Sequence, residues 1–209
     1  YFGFYQNQRL VAAIPAWGRF IAGQKNALKK YNCYHKVDIG NMEVILPISP
    51  EAKNIPMYFS CQFISLLSHA HIRTASNQSE TLSLLKNKNE FSRKFIYNRK
   101  RELRLLQNDG ISIAIVSQFT PKQIAFFYIQ LFKKRWNKNP RALTYIEEQL
   151  IAMREFMAGY LLIKNNQAIA IQILFFSKSV NYLSVEFINA GIDPAFSHFS
   201  PGSTLTYLN

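Results

Sequence analysis

The chain has 209 residues, 48% of them hydrophobic, and carries 25 Lys and Arg against 12 Asp and Glu, a formal charge of +13. That is ample apolar material for one large or two small packed domains. No window reaches the roughly 18 to 20 uninterrupted apolar residues of a membrane-spanning helix, and no leader with a cleavage site is visible, so a globular cytoplasmic protein is expected. The positive field attracts polyanions, meaning nucleic acid, anionic lipid or a phosphorylated donor, without choosing among them.

The chain starts at Tyr1 without a methionine and stops at Asn209, and both ends read as falling inside elements, so it is taken as a fragment. Its first residues, YFGFYQNQRLVAAIPAW, have an apolar run, a polar break at Gln6-Asn7-Gln8 and a second apolar run. That pattern predicts a β-hairpin, because Asn tolerates the positive φ of a tight turn and the flanking residues suit a pleated surface. The basic stretch AGQKNALKKYNCYHK follows, then a strand at residues 42–48, closed by Pro47, Pro50 and Pro56. Phe63, Ile64, Leu66 and Leu67 have helical spacing within residues 58–69, and HIRTASNQSE leads out as strand or loop. Residues 79–89 are polar apart from Leu82, Leu84 and Leu85, which places a domain boundary between 1–85 and 86–209. Cys33 and Cys61 form no CxxC, and His35, His69, His71 and His198 form no compact ligand motif. Free thiols in a reducing compartment and no metal are expected.

A helix is predicted over residues 90–108, stopped by Asp109-Gly110. Arg93, Tyr97, Lys100 and Arg104 fall on one face with Lys94 and Arg101 beside them, while Phe91, Phe95 and Leu106 lie opposite. The face is either an ordinary solvated surface or a contact for anionic lipid or nucleic acid. ISIAIVS reads as a strand. Thr120-Pro121 then opens a helix to about Trp136, whose final Lys133, Lys134 and Arg135 complement the helix dipole. Another helix, over residues 143–157, leads to YLLIKNNQAIAIQILFF, which repeats the opening hairpin at an offset of 159. Neither copy alternates strictly, so both faces of each are expected to be covered. After a turn at Lys178-Ser179, VNYLSVEFINAG is a strand with Leu183, Val185 and Phe187 on one side and Ser184, Glu186 and Ile188 on the other.

The last segment, IDPAFSHFSPGSTLTYLN, turns at Asp193-Pro194 and starts a helix with Ser200 as cap and Pro201 at its first position. Ser200, Gly202, Ser203 and Thr204 would offer unpaired N–H groups to a phosphate, although any helix begins this way. The order helix, helix, hairpin, strand, helix resembles the GNAT N-acetyltransferase core, in which the pyrophosphate of acyl-CoA rests on such a helix start. The stretches MEVILPISPEAK, LFKKRWN, GYLLIKNNQAIAIQILFF and NAGIDPAFSHFSPGSTLTYLN more specifically resemble the Mig-14 family, macrophage-inducible bacterial proteins associated with resistance to cationic antimicrobial peptides.

The resemblance implies a Gram-negative virulence protein, peripheral on the inner membrane, with an α/β (α+β) fold of tandem GNAT-like halves. The first half would be incomplete and the second truncated. It also implies distant similarity to cellulose-biosynthesis acyltransferases and to the Fem transferases, which use aminoacyl-tRNA. Acyl-CoA or aminoacyl-tRNA would then be the donor, Glu186 the base and Asp193 the second choice. The (Gln/Arg)xxGx(Gly/Ala) motif of acetyl-CoA enzymes is absent, and in the first half Ser49-Pro50-Glu51-Ala52 is the nearest echo of the helix start. The alternatives are a non-enzymatic peripheral protein binding anionic lipid or antimicrobial peptide, and a DNA-binding regulator; no helix-turn-helix is visible.

Overall fold

A computed structural model describes residues 2–14, 16–18, 20–22, 25–37, 87–178 and 183–209. The elements expected at 42–48, 58–69 and 71–80, together with Leu82, Leu84, Leu85, Cys61, His69, His71, the Ser49-Pro50-Glu51-Ala52 echo and the turn at Ser179, lie outside the described residues. The chain divides into two compact units, Tyr1–Tyr34 with Asn41–Leu85, and His35–Gly40 with Lys86–Asn209.

In the first unit, β1 (Phe2–Gln6) and β2 (Arg9–Ile14) form the predicted antiparallel hairpin. Asn7 and Gln8 make its turn at φ 49° and 62°, the conformation a two-residue hairpin loop requires. The short strands β3 (Ala16–Trp17) and β4 (Phe20–Ile21) pair next, and α1 (Lys25–Lys30) buries Ala27 and Leu28. Sequence reading assigned this basic stretch no element, because two apolar residues in six give too short a periodic signal.

The second unit begins with α2 (Arg93–Asn108), where the Ser92 hydroxyl accepts from the Phe95 N–H at 3.2 Å and Gly110, at φ 73°, reverses the chain. β5 (Ser112–Ile115) leads to α3 (Pro121–Trp136). Thr120 and Gln123 cap α3 reciprocally: the Thr120 hydroxyl accepts from the Gln123 N–H at 3.2 Å, and the Gln123 carbonyl accepts from the Thr120 N–H at 2.9 Å. The helix expected over 143–157 is shorter. α4 spans Ile146–Ala152 between two 3₁₀ turns, and Met157 already pairs with Phe175 in the sheet. β6 (Met157–Lys164), β7 (Gln167–Lys178) and β8 (Leu183–Ile192) follow, then a 3₁₀ segment (Pro194–Phe199) and α5 (Pro201–Leu208).

The four strands form one antiparallel sheet in the order β5-β6-β7-β8. Both faces are covered, which is why adjacent Leu161 and Leu162 are each fully buried. Leu161, Ile171, Ile173 and Phe175 pack with Ile124, Tyr128 and Leu131 of α3 and Ile146 and Leu150 of α4. Leu162, Ile169 and Ala170 pack on the other face with Leu106 of α2 and Leu205 of α5. The fold is mixed α/β.

The two hairpins share more than a pattern. Asn165 and Asn166 turn the second at φ 49° and 61°, nearly the angles of the first. In the first, Tyr5 pairs with Leu10 and Phe4 with Ala12, so Val11 is bulged out; in the second, Ile163 pairs with Ala168 and Leu162 with Ala170, so Ile169 is. Each bulge falls three residues past its turn, and the structural offset is therefore 158. The sequence offset of 159 followed the shared Asn-Gln letters, whereas the turn is set by where the strands pair.

Candidate functional site

A cavity of about 610 Å³ lies against the β7–β8 end of the sheet, and its described lining residues all belong to the second unit. Its floor is a file of paired residues: Phe175 stands opposite Glu186, and Ser177 opposite Ser184. Residues directly opposite in an antiparallel ladder share a face, and Phe175 packs in the α3/α4 core, so the file faces α4. Tyr145, Glu148, Gln149, Ala152 and Met153 form the facing wall. Their steps of three and four residues are those of one helical stripe, so a single side of the α4 segment is given to the cavity. Lys36, Val37 and Phe176 also line it.

A bulge shapes the floor. Phe187 pairs with Leu174 and Asn189 with Ile173, leaving Ile188 without an opposite residue. A regular strand would send Glu186 and Asn189 to opposite faces. Here both face α3 and α4: Glu186 lines the cavity and the Asn189 carbonyl accepts from the Tyr128 hydroxyl at 3.4 Å. The alternation expected from sequence is therefore broken at the bulge between Phe187 and Asn189.

The site departs from the protein's general charge. Among the described residues Glu148 and Glu186, like Glu147 and Glu155 outside the lining, are exposed carboxylates with no hydrogen bond or ion pair, and two of these four therefore face one cavity. Glu102, Asp109 and Asp193 are instead paired with Arg99, Lys164 and Lys134 at 2.8, 2.6 and 2.7 Å. The Lys36 ammonium lies 5.9 Å from the centroid of the Tyr145 ring, a cation–π arrangement inside the same cavity.

Of the expected catalytic pair, the structure puts only Glu186 in the cavity. Asp193 follows the far end of β8, beyond a run from Glu186 to Ile192 of about 20 Å at the usual strand rise. It is buried, with one oxygen on Lys134 and the other accepting from the Ala195 N–H at 3.1 Å. That carboxylate caps the 3₁₀ segment and anchors it to α3. At the start of α5, Ser200 makes no side-chain cap but adopts the left-handed conformation, φ 52° and ψ 49°, and ends the 3₁₀ segment by donating its N–H to Ser197. The expected capping hydroxyl is thus replaced by a backbone kink. The N–H groups of Gly202 and Ser203 have no backbone partner among the described residues, while Thr204 is buried and its hydroxyl has no hydrogen-bond partner.

The cationic face of α2 is presented as expected. Arg93, Lys94, Lys100, Arg101 and Arg104 are exposed, and Tyr97 is 61% exposed among them. Phe95 stacks on Phe91 at 4.8 Å and Leu106 is buried on the other side. On α3, Lys134 is taken by Asp193, and the Arg135 guanidinium lies 5.0 Å from the Trp136 ring centroid. No helix among the described residues is long and apolar enough to cross a membrane.

Sequence reading missed Tyr145, Glu148 and Lys36. One signal was available: Glu147-Glu148 is the only adjacent acidic pair in a strongly basic chain. A model of the Mig-14 family matches residues 1–209. No curated protein and no solved structure matches the chain.

Proposed function

Because the chain belongs to the Mig-14 family, we propose that it serves virulence and resistance to cationic antimicrobial peptides as a GNAT-type transferase, moving an acyl or aminoacyl group onto an amine. Membership is consistent with that setting. The observation that carries the reaction is the opening of Glu186 into the α4 cavity without any partner of its own. The element order and the antiparallel β5-β6-β7-β8 sheet fit the GNAT arrangement.

An amine arrives protonated and must lose a proton before it can attack. Glu186 accepts that proton, directly or through a water. The nitrogen lone pair then adds to the donor carbonyl carbon, the C–N bond forms, and the C–S bond of a thioester or the C–O bond of an aminoacyl ester breaks. The leaving sulfur or oxygen takes the second nitrogen proton. A donor anchored by phosphate at the Gly202 and Ser203 N–H groups has to reach back along β8 for about 20 Å, a span that an extended phosphopantetheine arm covers. Thr204 is too buried to join that cradle.

The intact protein is expected to release free thiol from an acyl-CoA, or free tRNA from aminoacyl-tRNA, when an amine is supplied. If neither donor binds nor turns over, the transferase reading fails. Gly202→Glu is expected to weaken donor binding about tenfold or more, by placing a negative charge at the positive end of α5. An added Cβ at Gly202 meets only the Ile192 side-chain tip at 3.1 Å, so the variant should fold. Unchanged donor affinity in it would move the phosphate elsewhere.

The exposed cations and Tyr97 on α2 favour a second role, attachment to an anionic membrane surface. Near such a surface each cation contributes about 1 kcal/mol, so Lys100→Ala with Arg104→Ala should weaken binding to phosphatidylglycerol vesicles about thirtyfold at low salt. Unchanged sedimentation with vesicles would remove this role.

A further inference from the structure

The cavity beside Glu186 has an uneven chemistry. Val37, Met153 and Phe175 give it apolar walls, Tyr145 gives it a ring face, and Glu148 and Glu186 stand across it from α4 and β8. An anion would meet two carboxylates there, neither of them in an ion pair. A small hydrophilic cation would leave the apolar walls wet, and a neutral apolar molecule would leave the carboxylates unused. A molecule with an ammonium group on an apolar body satisfies both parts. The protein already holds one such group in the cavity: the Lys36 ammonium rests over the Tyr145 ring and is paired with neither carboxylate.

We propose that this cavity is a binding site for amphiphilic primary amines, in which Glu148 and Glu186 together hold the ammonium group, the walls take the apolar body and Lys36 competes for the cation's place. This rests on the transferase reading in one respect, that the bound amine is the acceptor. Glu148 is then a specificity residue for the acceptor, and Glu186 both holds the amine and takes its proton.

Binding is measured by calorimetry on the intact protein without any donor, using the straight-chain amines from butyl to octyl and the matching alcohols. Affinity for the amines should rise about threefold to fourfold per added methylene until the cavity is full. Each amine should bind about fivefold or more tighter than its alcohol. In Glu148→Gln combined with Glu186→Gln, amine and alcohol should bind alike. Lys36→Ala should tighten amine binding, and Ala152→Trp, which fills the cavity from α4, should remove the dependence on chain length. Equal binding of amine and alcohol by the unaltered protein, an amine preference that survives the double substitution, or a length dependence that survives Ala152→Trp would overturn the proposal. Circular dichroism of each variant checks its fold. Since no donor is present, loss of transfer with intact amine binding refutes the transferase alone, and transfer without amine selectivity refutes this site alone.

Discussion

Replacing Gly159 by alanine should destabilise the protein by about 3 kcal/mol or more, a large part of the 5 to 15 kcal/mol typical of a folded domain. Gly159 sits in β6 opposite Ile173 at φ 134°, where side chains are strained, and a Cβ there would collide with the Gln172 carbonyl oxygen and lie 3.0 Å from its carbon. The collision is with backbone, so rotamer change gives no relief. β6 and β7 would have to part at the level of the Ile188 bulge, beside the strand that carries Glu186. Gly110→Ala is the matched control: φ is 73° and nothing lies within 4 Å of the added atom, so only the backbone strain of about 1 kcal/mol applies. Denaturant melts followed by circular dichroism compare the two. A Gly159→Ala protein as stable as Gly110→Ala would mean that the close strand approach contributes nothing.

Local chemistry made much of the second unit readable. Thr120-Pro121 specifies a helix start through its own side chain and ring, Asp109-Gly110 stops α2, and Asn165-Asn166 fixes the hairpin turn, as Asn7-Gln8 does in the first unit. These signals need no tertiary partner. The bulge at Ile188 was not readable, because pairing across β7 decides it, and it is the bulge that brings Asn189 round to the face of Glu186. Ser200 illustrates the converse: serine before proline promised a side-chain cap, but the preceding 3₁₀ segment delivers the chain in a left-handed turn. Asp193 looked like a free acid because Lys134, 59 residues away, is invisible at short range. The cavity was hidden for the same reason: Glu186 could be chosen as the acid of a polar strand face, yet Glu148 and Tyr145 reach it only when α4 packs on the sheet.

The two cavity carboxylates should separate kinetically. Glu186→Gln should lower kcat by about 10² to 10⁴, the usual worth of a positioned base, because the amide keeps the shape and cannot take the proton. Glu148→Gln removes a charge that holds the arriving ammonium and takes no proton itself, so it should raise KM for the amine and leave kcat within about threefold of the parent. Both residues are exposed and unpaired, and either change should shift stability by less than about 0.5 kcal/mol, so lost activity would not reflect unfolding. Donor affinity, measured separately, should be the same in both variants, since the donor's anionic end is assigned to the start of α5 at the other end of β8. A Glu186→Gln protein that turns over within about threefold of the parent would place the base elsewhere, and the buried, lysine-paired Asp193 could not replace it without first breaking its contact with Lys134.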